Sequence, residues 1–166
     1  PMDFTPGMMV CQQPEFFKGD RPVTPAVGTK ASQLAQIVAF ETGLQMLADN
    51  PCRYDMYPEC RDFMCGVPVE WDDTIVLAGE FGAYYVVAKR SGDTWYIAGI
   101  NNSTARDVTL DMSFLGDRKW NISSFIDGVS ADKIGMDYRH VEFTAEGLKT
   151  MTIHMARNGG YAAVIE

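Results

Sequence analysis

The sequence predicts an α+β chain: a loop-rich segment carrying one long helix (residues 1–75), then an antiparallel β-sandwich (residues 76–166). Three observations predict it. The hydrophobic period changes from helical to two near residue 75. All four cysteines, Cys11, Cys52, Cys60 and Cys65, precede that point, as do the loop-marking prolines Pro6, Pro14, Pro22, Pro25, Pro51 and Pro58. Charge shifts as well: residues 1–76 hold 5 basic and 11 acidic side chains, residues 77–166 hold 9 and 11.

Along the first segment, Pro6, Gly7, Pro14, Gly19, Pro22, Pro25 and Gly28 break every period, so residues 1–28 read as a short apolar start and a long loop. Thr29 then offers an N-cap, and helical composition runs to about Ala48, where Asp49-Asn50-Pro51 stops it. At 100° per residue, Leu34, Ile37, Val38, Leu44 and Ala48 fill one arc, and Ala39, Phe40, Met46 and Leu47 fill much of the rest. Such a helix needs cover on several sides, which the first 75 residues do not supply. Its partners are expected upstream of Pro1. A chain that opens on proline is itself expected to be a processed product or a piece of something longer.

Glu41 falls inside the apolar arc, where a carboxylate is costly unless paired. A site group and a structural ion pair with an arginine both explain it, and the ion pair is the simpler reading. Cys52, Cys60 and Cys65 lack zinc-site spacing, and His140 and His154 lie far away, so no metal site is expected. The cysteines are either disulfide-bonded or small buried side chains. Val67-Pro68-Val69 reads as a short buried strand leading to Glu70-Trp71-Asp72-Asp73. Carboxylates beside an indole suit a sugar, since indole faces stack on sugar rings and carboxylates accept from hydroxyls; a wet strand exit with a packing tryptophan is the plainer alternative.

From about Ile75 the pattern is β. Tyr84–Arg90 and Thr94–Ile100 form a hairpin around Ser91-Gly92-Asp93, and Val108, Leu110, Met112 and Phe114 alternate with polar residues. Trp120–Ile126 runs to a break at Asp127-Gly128, Val141 and Phe143 mark another strand, and Met151, Ile153 and Met155 a further one. Asn158-Gly159-Gly160 turns into Tyr161–Ile165. Seven or eight short strands in about ninety residues is a sandwich or barrel pattern. This half shows no nucleophile elbow, no phosphate-cradling glycine loop and no histidine paired with a nucleophile. His154 is expected to face outward or across a strand pair, and Trp95 and Trp120 to be core rather than a sugar platform.

Composition removes other classes. With 46% apolar residues the chain has a real core, no uncharged apolar run reaches membrane-spanning length, and the formal charge of −8 argues against nucleic acid as a partner.

Four stretches in order carry a resemblance: Pro1-Met2-Asp3-Phe4-Thr5-Pro6-Gly7, Val38–Asp49, Val67–Thr74, and Trp95–Ile100. Together they resemble the C-terminal end of glycoside hydrolase family 97, bacterial α-glucosidases and α-galactosidases common in gut Bacteroidetes. The loop around Cys11–Gly28 and the stretch from Cys52 to Cys65 have no match in it. The resemblance implies the last strands and helix of a (β/α)8 catalytic barrel in residues 1–75, and a complete C-terminal oligomerisation-type β-domain in residues 76–166. It implies that the catalytic carboxylates and the calcium-binding glutamates lie upstream of Pro1, so no catalytic residue and no metal ligand is assigned to this chain.

Because barrel active sites open at the C-terminal ends of strands, Asp3, Trp71 and Asp72 are the candidate substrate-binding residues. The expected function is that of an inactive C-terminal fragment of a periplasmic α-glycosidase acting on an α-linked oligosaccharide. The alternative is a non-catalytic β-sandwich module for subunit contact, self-association or carbohydrate binding.

Overall fold

The computed structural model describes residues 4–18 and 24–166. Its centre is a six-stranded antiparallel sheet in the order β3-β4-β5-β10-β7-β8, formed by Asp73–Glu80, Tyr84–Ser91, Thr94–Asn101, Gly160–Ile165, Lys119–Asp127 and Tyr138–Glu146. A two-stranded ribbon of β6 (Arg106–Asp111) and β9 (Thr150–Met155) covers one face. On the ribbon, Val108, Leu110, Ile153 and Met155 point inward, while Asp107, Thr109, Thr152 and His154 face water; this is the alternation of a strand wet on one side. Trp95 and Trp120 are buried in the core between ribbon and sheet, as expected, and the Trp120 indole donates to the Leu115 carbonyl at 2.9 Å.

The other face of the sheet carries the helices α1 (Lys30–Ala39) and α3 (Pro58–Gly66). The inner strands are therefore buried on both sides and read as nearly continuous apolar runs. On β10, Tyr161, Ala163 and Ile165 meet the ribbon core, whereas Ala162 meets α1. Small residues such as Ala98 and Ala162 let α1 lie close on the sheet. Two residues of β1 (Cys11–Gln12) pair in parallel with β2 (Ala26–Val27), and short α2 (Pro51–Asp55) precedes α3.

Three expectations change. The helix starts on the Thr29 cap, whose side chain accepts from the Ser32 amide at 3.2 Å, but it ends at Ala39 rather than Ala48. Phe40 is already extended, and the Thr42 hydroxyl accepts from the Leu44 amide at 3.4 Å, a side-chain turn that competes with helical bonding. Leu44, counted in the apolar arc, is 75% exposed. The cover for α1 also comes from within the chain: every residue of the helix but Gln36 is buried, against β5, β7, β10 and α3. Finally, Val67-Pro68-Val69 is irregular rather than a strand, and the cysteine-bearing stretch is helical, α2 and α3 each starting on a proline that fits the first turn.

All four cysteines are free thiols, Cys11 and Cys60 buried and Cys52 and Cys65 exposed. Burial pushes the Cys11 thiol up to about 12 and the Cys60 thiol to about 11, so both stay protonated in neutral solution, and the thiolate is the reactive form. A disulfide reagent is expected to label Cys52 and Cys65 in the native chain, and Cys11 and Cys60 only after unfolding. Peptide mapping of the labelled sites checks this.

Candidate functional site

The turn that ends α1 and the irregular run before β3 face each other across an open cleft of about 530 Å3. Glu41, Thr42 and Gly43 form one wall, and Val69, Glu70, Trp71 and Thr74 the other. Beside them lies Lys89 on β4, at the end of the run Tyr84-Tyr85-Val86-Val87-Ala88. Its side chain is 2% exposed and reaches the 60% exposed Glu41 carboxylate, Nζ to Oε1 3.1 Å. The ammonium also stands 5.4 Å from the Trp71 ring centre.

This lysine, surrounded by core, has two partners: the carboxylate supplies a charge-assisted hydrogen bond and the indole a π face. Glu41 is thus half of an ion pair, as the simpler sequence reading has it, with lysine in place of arginine. Trp71 also meets Tyr96 edge-on, ring centres 5.4 Å apart at 72°.

Trp71 and Asp72 are neighbours in sequence but do separate work. The Asp72 carboxylate accepts from the Gly92 amide at 2.7 Å and lies 3.6 Å from the Arg90 guanidinium, holding the β4–β5 turn. Asp72 therefore does not join Trp71 in the cleft, whereas Glu41 and Glu70 do. Asp3 lies outside the described residues. Chemically the cleft offers two carboxylates, two hydroxyls and an aromatic surface, which suits hydrogen bonding to a polyhydroxyl ligand. Of the two carboxylates, Glu41 is already engaged by the buried Lys89 ammonium.

A family model described as Glycosyl-hydrolase 97 C-terminal, oligomerisation, matches residues 70–166. The chain belongs to glycoside hydrolase family 97. A retaining alpha-galactosidase of Bacteroides thetaiotaomicron is 39% identical over 166 residues, covering 100% of this chain and 25% of that protein. A probable retaining alpha-galactosidase of Streptomyces bingchenggensis is 32% identical over 163 residues, covering 98% of this chain and 23% of that one. Among solved structures, a family 97 enzyme from a Pseudoalteromonas species in complex with panose superposes with a TM-score of 0.84 at 27% identity, covering 100% of this chain and 26% of that one. The chain spans about a quarter of the length of the relatives it matches.

Elsewhere in this family 97 chain, both histidines meet a polar side chain on a neighbouring strand. His154 pairs across the ribbon with Asp107, Nδ1 to Oδ1 2.7 Å, a cross-strand histidine as expected. The second pair is not visible in the sequence: the Ser123 hydroxyl lies 2.7 Å from His140 Nε2. Ser123 and His140 sit on adjacent strands, seventeen residues apart in sequence, and only the β7–β8 register brings them together.

Proposed function

We propose that this chain is the C-terminal part of a retaining α-glycosidase acting on α-linked galactosides, and that it is inactive without the rest of the enzyme. The observation that carries the reading is the full-length match of these 166 residues to a quarter of a protein named a retaining alpha-galactosidase. In this reading residues 1–75 are the last part of a (β/α)8 catalytic barrel, and Trp71 stands at the rim of its sugar pocket.

Retaining hydrolysis needs two carboxyl groups across the scissile bond, one of them a proton donor. Two carboxylates of this chain are otherwise engaged: Glu41 is tied to Lys89, and Asp127, whose pKa burial raises, accepts from backbone amides in the core. Among the described residues no three His, Cys, Asp or Glu side chains come together to hold a metal ion. In the same proposal a calcium ion of the whole enzyme takes its ligands from outside this chain. Periplasmic location belongs to the same proposal. No described helix is long and apolar enough to cross a membrane.

Self-association through the β-domain is the companion reading. The family model is described by oligomerisation, and at the β3 edge Phe81 is fully exposed beside Val76, over an apolar hollow of about 600 Å3.

Nitrophenyl α-galactoside tests the activity. The isolated chain is expected to release no nitrophenol and the full-length enzyme to release it with retention at the anomeric carbon. In that enzyme Trp71→Ala is expected to raise KM about fivefold with little change in kcat. Turnover by the isolated chain, or an unchanged KM, would remove the respective part of the reading.

A further inference from the structure

Tyr96, which meets Trp71 at the first cleft, also lines a second groove of about 430 Å3 between α3 and strands β7, β8 and β10. That volume lies in the range of small-ligand sites. The β7–β8 register pairs Ser123 with Glu142 and Phe125 with His140, so Ser123 and His140 are diagonal neighbours on one face. The imidazole lies flat on the buried Phe125 ring, centres 4.5 Å apart and planes 7° apart, which fixes it in the groove wall. Phe63 and Tyr96 add apolar surface, and Glu59 and Glu166 stand among the lining groups.

Chemistry narrows the occupant. A serine–histidine pair hydrolyses an ester or amide only where amide donors wait for the oxyanion. Here both residues sit on sheet strands, whose amides lie in the plane of the sheet while the serine and histidine side chains stand perpendicular to it. No amide pair is therefore aimed at a carbonyl seated on the serine, and the pair binds rather than cleaves. Among the described residues no lysine or arginine lines the groove, while three carboxylates do, which disfavours phosphates and other anions. Of those, Asp62 is held by Arg61 at 2.9 Å. Glu59 accepts from the Tyr138 hydroxyl; burial opposes its ionisation, but that bond, its own backbone amide, His140 and Lys30 together keep its carboxyl below the usual range. Ionised carboxylates are pure acceptors, and the serine and imidazole both accept and donate. A ligand matching them carries many O–H donors and an apolar C–H face.

The geometry points to a second, non-catalytic carbohydrate site on the β-domain, in which Ser123, His140 and Glu166 hold the hydroxyls of one neutral pyranose unit against the aromatic wall. The choice of an α-galactoside as that unit rests on the family reading above; the site itself does not.

The test is a titration of the isotope-labelled 166-residue chain with melibiose, followed by NMR. Shifts at Tyr96, Ser123, His140 and Val164 with a millimolar Kd are expected, and Ser123→Ala and His140→Gln each weaken binding about fivefold while the remaining spectrum stays folded. Shifts confined to Glu41 and Trp71, no shifts at all, or unchanged affinity in both variants would overturn the second site. If the groove binds melibiose while the full-length enzyme is inert on α-galactosides, the site stands and the proposed activity falls.

Discussion

Replacing Asp127 with alanine is expected to lower the unfolding free energy by about 4 kcal/mol, the cost of leaving two buried amides without an acceptor. One carboxylate oxygen accepts from the amides of Ala156 and Gly160, each at 2.9 Å. These bonds tie the end of β7 to the turn that launches β10, the strand shared by both halves of the sheet. The same turn holds the start of α1, since the Thr29 amide donates to the Asn158 carbonyl at 3.2 Å. In a chain of this size the loss corresponds to roughly 10 °C in Tm.

Asp127→Asn separates charge from hydrogen bonding. Burial pushes the Asp127 carboxyl up, against the Thr29 hydroxyl, the two amides and His154, all of which favour its charged form. A folded pKa above the unfolded one stabilises fully below the unfolded value, 3.8, and that stabilisation is lost as pH rises through the folded value. The advantage of aspartate over asparagine should therefore be greatest in acid and shrink on the way to neutral. Urea melts of both proteins at a series of pH values check it. An advantage that grows with pH would mean that the ionised carboxylate is what the site requires.

The strands were legible because their signals are local. β9 alternates because one of its faces is wet, while β4, β5 and β7, which have cores on both faces, stand out as β-branched and aromatic runs. All four fall within a few residues of the expected positions, bounded by turns that carry glycine, asparagine or aspartate. The helices were less so. The arc from Leu34 to Ala48 counted apolar residues without regard to what ends a helix. The Thr42 turn and the pull of Lys89 on Glu41 are short-range and tertiary effects that hydrophobicity does not record. Pro51 and Pro58, taken as loop markers, open helices, and the asparagine cap at Asn50 was the signal that could have shown it. The cover for α1 is hidden in the sequence because it is the sheet's second face, which is apolar through small residues spread over several strands. Alanines such as Ala98 and Ala162 signal a helix-packing surface only once both faces of their strands are considered.

The candidate site divides in the same way. Trp71 was readable because an indole among carboxylates is conspicuous, and its cleft partner Glu41 because a carboxylate interrupts an apolar arc. Lys89 was not: in sequence it is simply the polar end of a strand, and only the fold places it beside Glu41 and Trp71. Asp72 looked equivalent to Trp71, yet in the irregular run before β3 its carboxylate turns to the Gly92 amide and serves the β4–β5 turn. The Ser123–His140 pair required the register between two strands joined by a ten-residue connection, which no spacing rule supplies.

A methyl group at position 160 should cost almost as much as losing Asp127. A Cβ on Gly160 would lie 2.6 Å from the Ser32 Cα, 2.8 Å from the Gly99 carbonyl oxygen and 2.9 Å from the Ser32 amide nitrogen. All three are backbone atoms, so no side chain can rotate aside, and either α1 must lift from the sheet or β10 must part from β5. Gly160→Ala is expected to destabilise by about 3 kcal/mol, at the upper end of overpacking costs. Gly66 provides the control: a Cβ there meets nothing within 4 Å, and its alanine variant should be neutral or slightly stabilising because the unfolded chain loses freedom. Hydrogen exchange locates the damage. If α1 rests on this chain's own sheet, exchange at Leu34 to Val38 accelerates in Gly160→Ala while the amides of the β6–β9 ribbon hold, because the ribbon packs on the opposite face. Unchanged exchange in α1 would mean that its first turn is not seated against β10, and that the helix depends on some other surface for its burial.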